Sequence, residues 1–503
     1  MTDDLNYSRD IYARRAGAYP QVKKALEFFQ LEIKAEYQVN RYASKYRDHI
    51  RIFILDLLVA ECLTPGMYLT YSRNKNDYRP KGRYGKIHLS YGITQNIVKY
   101  LENHGYIEHH PGVKNVKLPR IRATKKLIDL LLDSFQIEVG MYCWDYPEDY
   151  PTVVLRANKE RKKDPHVELG YEDTAEIRQM KKNMDLFNRN LERHAVFLYL
   201  PDNKYKKMFI RMQKERGSGK GMADFTRKWN IRVFNNGSWT QGGRLYGGCW
   251  QNIPREYRQY LRLNDKDTVE CDYSGLHINM LYARDGLEMP DGDVYHLLDP
   301  RFPDPPDEDS PEEEKRQYQI FRDFVKRLQL ILLNASSEND VRRAIYTAVH
   351  KHRILKLPKE VPSTRIEDIR PLIEAFKDRH KPISQYFMTR EGIKLQYLDS
   401  QMAEKVLLHF SRMRYPILPV HDSFIIHHGL EQELKDCMNK AFRDRFGVNI
   451  QVDLKFNSIT ERQKRDGNKP YVCDESIIDI IEDEKEYSIY YNLLDQFRRY
   501  KNS

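Results

Sequence analysis

Cysteine is scarce in this chain: six residues in 503, Cys62, Cys143, Cys249, Cys271, Cys437 and Cys473. They form no CxxC pair and stand beside no histidines at metal-ligand spacing. That excludes a structural zinc site and a disulfide scaffold, and it fits a reducing cytosol. Long apolar runs are missing too. No stretch approaches the roughly 18 residues of a membrane span, and the first residues, MTDDLNYSRDIYARR, are charged and polar. The expectation is a cytoplasmic protein with neither signal peptide nor membrane partner. Internal repeats are absent. Gly217-Ser218-Gly219-Lys220-Gly221 lacks the full spacing and the preceding strand of a phosphate-binding P-loop, and reads as a basic loop.

What is abundant is basic charge and tyrosine. Lys and Arg number 84 against 73 Asp and Glu, a net charge of +11, and there are 35 tyrosines. A basic surface favours a polyanionic partner, and tyrosine both packs and stacks on bases. The length calls for two to four domains.

Two aspartates stand where short β-type runs stop. Thr268-Val269-Glu270-Cys271-Asp272-Tyr273-Ser274-Gly275 ends on the first. In Ile417-Leu418-Pro419-Val420-His421-Asp422-Ser423-Phe424-Ile425-Ile426 a polar trio interrupts two apolar runs and carries the second. A carboxylate at a strand end lies where a divalent ion can reach it, whereas the same group buried alone is costly. If both strands share one sheet, the pair can hold two magnesium ions about 4 Å apart, the arrangement of phosphoryl and nucleotidyl transfer. Taken singly, each is an ordinary strand-end aspartate.

Residues 48–138 read as a small basic module. An apolar helix over 50–63 closes at Pro65-Gly66, and a basic, Tyr-rich loop follows at 67–87. A second helix has Ile93, Ile97 and Leu101 on one face and stops at Asn103-His104-Gly105. Two short strands come next, joined by a Pro-Gly turn with a basic tip. This order resembles winged-helix DNA-binding domains, whose second helix lies in the major groove. The other reading is an α/β packing module that touches no DNA. Residues 139–229 read as a linker, containing the basic run at 159–163, followed by a mostly helical segment. Residues 301–315 are acidic and Pro-rich, a surface loop.

Four blocks surround the aspartates in order: Gly243-Arg244-Leu245 with Gln251-Asn252-Ile253-Pro254; Asp272-Tyr273-Ser274; Arg322 and Lys326 on a helical pattern; and Val420-His421-Asp422. Together they resemble the family A nucleic acid polymerases over residues 230–455. The resemblance implies an α+β right-hand polymerase (palm, fingers and thumb) preceded by a winged helix-turn-helix domain. Its layout would be a helical extension at 1–47, the winged helix at 48–138, linker and thumb-like segment at 139–229, palm and fingers at 230–460, and a tail at 461–503. It implies that Asp272, Asp422 and the Tyr273 carbonyl hold two Mg2+ ions, with Mn2+ as substitute. Arg322, Lys326 and Arg327 would meet the triphosphate, with His277, Leu330 and Asn334 around the nucleotide. Arg244, Gln251, Asn252 and His421 would touch primer-template DNA. The implied reaction extends a 3′-hydroxyl with dNTPs, and an Asp-x-Glu strand for proofreading is missing before residue 230.

The departures from that family concern the sugar. His277 stands where the DNA enzymes have Glu, Leu330 and Asn334 stand at usual aromatic positions, and Ser423 replaces a second Glu. His421-Asp422-Ser423-Phe424 and Lys326-Arg327 resemble single-subunit phage and mitochondrial RNA polymerases instead, with weaker echoes in Asp293-Val294-Tyr295 and Leu398-Asp399-Ser400-Gln401-Met402. An RNA polymerase or primase using NTPs is therefore the runner-up. A non-catalytic replication initiator is the reading from another class. Relatives are expected on bacterial mobile elements, with a bacterial cytoplasm or nucleoid as compartment and a replication accessory protein as a further partner.

Overall fold

A computed structural model describes residues 4–15, 19–38, 43–78, 89–113, 117–139, 144, 146–147, 150–159, 166–216, 224–455 and 486–502. The glycine-rich loop at 217–221, most of the basic run at 159–163, residues 79–87 of the tyrosine-rich loop and the Ile-rich stretch at 477–481 lie outside the described residues.

The chain is a mixed α+β protein. The strands in chain order are β1 (Ser8–Asp10), β2 (Tyr68–Thr70), β3 (Ile107–His110), β4 (Arg120–Ala123), β5 (Val153–Leu155), β6 (Val196–Leu198) and β7 (Ile231–Phe234). They continue with β8 (Gly242–Tyr246), β9 (Leu261–Leu263), β10 (Lys266–Tyr273), β11 (Leu418–Val420), β12 (Ser423–His427) and β13 (Val452–Leu454). Among the described residues they form three sheets, ordered β1-β2-β4-β3, β11-β12-β10-β9-β6 with β13 on β10, and β5-β7-β8.

Helix Pro20–Tyr37 packs on two further helices that themselves pack on the first sheet, Ala43–Leu63 and Tyr91–Asn103. In the last of these Ile93, Ile97 and Leu101 are buried, as their spacing predicts. That helix ends at His104, followed by Gly105 at φ 68°, a left-handed conformation that glycine adopts without a Cβ clash.

Four segments contribute more than their sequence suggested. The helical extension expected at 1–47 also supplies β1, and the loop expected at 67–87 supplies β2, its parallel partner. Residues 139–229, expected as linker and helices, also supply β5 and β6, and β6 forms one edge of the same sheet as Asp272. Three-residue strands such as Val196-Phe197-Leu198 are too short to show a period. The chain's last described residues form helix Ser488–Asn502, whose Ile489, Tyr490, Leu493, Leu494 and Phe497 are buried in the main core. Their helical spacing gives this segment a packed face.

A buried ion network ties the amino-terminal segment to the rest. Arg9 grips both oxygens of Asp56 at 2.8 and 2.7 Å, and Arg15 reaches the same carboxylate at 2.6 Å. The Tyr12 amide donates to Asp56 as well, at 2.7 Å, and Arg15 also donates to the Thr226 hydroxyl at 3.0 Å. Burial pushes the Asp56 pKa up, but the two guanidiniums outweigh it and hold it at about 2. Removing one partner of such a buried network leaves stranded charge, typically about 3–5 kcal/mol. Asp56→Ala is therefore expected to lower unfolding stability by about that much in urea titrations. A wild-type midpoint would show that the arginines are stabilised elsewhere.

Candidate active site

The position of the two aspartates follows from strand register. β10 is the central strand, pairing antiparallel with β12 on one side and β13 on the other. Asp272 lies opposite Ser423, and Val420 pairs with Ser423 across the β11–β12 hairpin. His421 and Asp422 are therefore the two-residue turn of that hairpin, immediately beside the end of the strand that carries Asp272. Two-residue hairpins need positive φ, and His421 supplies it at φ 61°. A non-glycine residue in that conformation is strained, and such strain concentrates at functional sites.

After Asp272 the chain leaves the sheet by a tight turn. Gly275 sits at φ 54°, where a Cβ would come within 2.6 Å of Val294, and it begins helix Leu276–Arg284. That turn puts His277 into the first turn of the helix, close to the sheet end.

The electrostatics are unbalanced in a telling way. Asp272 is 8% exposed; one oxygen accepts from the Lys455 ammonium at 2.6 Å, and its Oδ1 is buried without a hydrogen-bond partner. Burial and the Asp422 charge push its pKa up to about 7, against the opposing pull of Lys455 and Lys326. For Asp422, burial acts upward, but Arg244, His277 and Lys455 outweigh it and hold the carboxyl below its usual range. The two carboxylates thus act on one another, and the surrounding cations offset burial at Asp422 but not at Asp272.

Among the described residues no group of three or more His, Cys, Asp or Glu side chains could cage a metal ion. Two carboxylates with one bare buried oxygen nevertheless suit Mg2+, which keeps waters and takes substrate phosphates in place of a full protein shell.

Around this pair the other sequence-identified residues fall into three groups. Arg244 donates to Asp399 at 2.8 Å through Nε, and its Nη2 lies 3.4 Å from His277 Nε2. Asp399 is buried, which pushes it up to about 6 despite Arg244. Burial and Arg244 push His277 down to about 4, so its imidazole is neutral at neutral pH. Close approach here depends on Gly243, at φ 76°, whose missing Cβ would sit 2.6 Å from the Ser400 hydroxyl.

The second group braces the hairpin. The Gln251 amide donates to the carbonyls of Leu245 and Pro419, each at 3.1 Å, and the Trp250 indole donates to Pro419 at 2.9 Å. Asn252 closes the same short 3-10 turn and is half-buried, while His421 is exposed, 6.1 Å from the Tyr246 ring. The Tyr273 phenol is anchored to the Met438 carbonyl at 2.8 Å, which fixes the strand just beyond Asp272.

The third group lies on helix Glu312–Asn334, held to the core by Phe321, Phe324, Val325, Leu328 and Leu332. Arg322, Lys326, Leu330 and Asn334 follow at four-residue intervals and line one face. Arg322 pairs with Asp293, and both Arg322 and Lys326 sit over the Tyr295 ring, at 5.2 and 5.7 Å from its centre. Lys326 is exposed and close enough to Asp272 to lower its pKa. Arg327 is exposed next to it. Leu330 is half-buried, and its carbonyl accepts from the exposed Asn334 amide at 2.8 Å.

Sequence reasoning missed Glu270 and Lys455, and it noted Asp293 and Asp399 only within weak motifs. Glu270 was legible in principle, since alternation puts it on the same strand face as Asp272. Lys455 had no local signal.

The crowding predicts a pH signature. A carboxyl raised from about 4 unfolded to about 7 folded binds more protons in the native state, so its contribution to stability falls as pH rises between those values. In metal-free buffer Asp272→Asn should raise the melting temperature at pH 7 by about 2 °C or more, with the gain shrinking toward pH 4. A melting temperature that drops at pH 7 would show that Asp272 is not crowded.

No family model matches the chain, and no curated protein matches it. Among solved structures it is similar to the POL domain of Pol1 from M. smegmatis, in complex with DNA primer-template and dNTP. The identity is 12% and the TM-score 0.30, over 86% of this chain and 72% of that one.

Proposed function

We propose that the protein is a template-directed nucleotidyltransferase that extends a 3′-hydroxyl on primer-template DNA with dNTPs, using Mg2+. The observation that carries this reading is the β10–β12 register, which sets Asp272 beside the Asp422 turn, with the Lys326 charge acting on Asp272. The motif resemblance in residues 230–455 supports it, with palm and fingers there and a DNA-engaging winged helix at 48–138.

Each residue then has a chemical task. Asp272 and Asp422, with the Tyr273 carbonyl, would hold the ions, and the buried Asp272 Oδ1 is an oxygen still without a partner. A bound pair of magnesium ions supplies charge neutralisation for the attacking hydroxyl and the leaving pyrophosphate. Lys326 and Arg322, one helical turn apart, bind the triphosphate as cations preset over Tyr295, with Arg327 beside them. Neutral His277, held by Arg244, faces the sugar, and Leu330 and Asn334 continue the nucleotide-side face of the helix. Arg244, Gln251, Asn252 and His421 line the duplex end. NTP use is the second reading, and the observation favouring it is His277 and Ser423 standing where the DNA enzymes carry glutamates.

Primer extension with labelled dNTPs or NTPs, with and without primer, is the direct test. Asp272→Asn and Asp422→Asn should each abolish incorporation while duplex binding persists; full activity in either variant would end the two-carboxylate proposal. Lys326→Ala should reduce kcat/KM for the triphosphate by about tenfold or more, the scale of a lost charge-assisted hydrogen bond. Unchanged kinetics would remove Lys326 from the site.

A further inference from the structure

The hydrogen-bond ladder of β13 does not stop at Leu454. Asp272 pairs with Asp453 and Cys271 with Leu454, and the Lys455 amide then donates to the Glu270 carbonyl at 2.8 Å. Lys455 is therefore Glu270's cross-strand neighbour, and its side chain rises on the face that Glu270 and Asp272 share. Its ammonium bridges the two, 2.6 Å from Asp272 Oδ2 and 3.5 Å from Glu270 Oε1.

Glu270 is fully buried, an expensive place for a carboxylate. Its Oε1 accepts from the Ser423 hydroxyl at 2.7 Å, Arg258 is 3.9 Å away, and Oε2 has no hydrogen-bond partner. The same Ser423 hydroxyl lies 3.0 Å from the Val420 carbonyl, across the hairpin that presents Asp422. A continuous chain, Ser423 to Glu270 to Lys455 to Asp272, links β12, next to the Asp422 turn, with the strand that bears Asp272.

We propose that Lys455, clamped by Glu270, is a positioning residue that fixes the Asp272 carboxylate so that Oδ1 is presented to a divalent ion. This rests on the two-carboxylate metal reading above. Lys455 caps Oδ2 and leaves the buried Oδ1 without a partner, so the lysine sets the rotation of the carboxylate without occupying the second oxygen. Partners of this kind, which hold a metal ligand in place, are typically worth roughly 10–100-fold in metal affinity. The opposite role, a lysine that competes with the ion, predicts the opposite sign.

The test is Mn2+ binding to the full chain, followed by electron paramagnetic resonance without substrate, with circular dichroism as the fold control. Lys455→Met should weaken Mn2+ binding by about tenfold or more. Lys455→Arg should recover part of the loss, which a merely structural role would not produce, and Glu270→Gln should weaken binding by a smaller factor. If Lys455→Met does not fold, Glu270→Gln decides. Wild-type or tighter Mn2+ binding in the deciding variant would overturn the inference. Asp272→Asn separates the two failures: if it binds Mn2+ like the wild type, the metal reading itself falls. If it loses binding while Lys455→Met keeps it, only the role of Lys455 falls.

Discussion

Everything proposed for this protein depends on the antiparallel pairing of β10 with β12. A one-residue slip in that ladder would turn Asp272 to the other face of the sheet and separate it from the Asp422 turn. The register is held by an apolar filling of Val269, Cys271, Phe424, Ile425 and Ile426, all buried. It is held again at the hairpin, where the Pro419 carbonyl accepts from both Trp250 and Gln251. The polar turn can therefore be strained, with His421 left-handed, because the strands on both sides are fixed.

With the strands fixed, the carboxylates cannot move apart, and the surrounding charges are arranged in answer to them. Lys455 meets Asp272 directly, Arg244 is shared between Asp399 and the field of Asp422, and Lys326 approaches from the helix. None of these cations neutralises the pair fully, since Asp272 retains a bare buried oxygen and a raised pKa. A fold selected for stability alone would replace such a pair with apolar side chains. The unpartnered Oδ1 of Asp272, beside the Asp422 turn, is the observation behind the proposed cation chemistry.

How much of this was readable in the sequence depends on the range of the interaction. Helix Tyr91–Asn103 and helix Glu312–Asn334 carry their apolar period locally, although the second begins at Glu312, inside the acidic stretch 301–315 expected as a loop, because glutamates favour a helix's first turn. The runs ending at Asp272 and flanking Asp422 are strands, as their β-branched and apolar content indicated. What escaped was set by distant partners. β6 is three residues long and becomes a strand only through its pairing with β9. Asp399 acquires a role through Arg244, 155 positions away, and Lys455 through Glu270, 185 positions away. Gln251, expected at the duplex, has a further task the sequence does not show, since its amide nitrogen braces the hairpin.

The same logic of long-range polar pairing extends to the amino-terminal segment. Arg9 and Arg15 face Asp56, with Asp224 at 3.7 and 3.9 Å, and all four side chains are almost fully buried. Two positive and two negative charges balance there, so the network avoids stranded charge, yet an apolar filling would serve stability as well. What the ionic version adds is direction: bidentate Arg9 and the Arg15–Thr226 bond tolerate one geometry, whereas apolar side chains slide. Asp224 and Thr226 lead into β7 and then β8, the strand that carries Arg244. The helices and hairpin at 43–123 are thereby fixed in orientation relative to the strand that supplies a candidate duplex contact. For a protein proposed to hold one nucleic acid along both regions, a rigid joint of this kind sets the path between them before any ligand binds, which lowers the ordering entropy that binding must overcome.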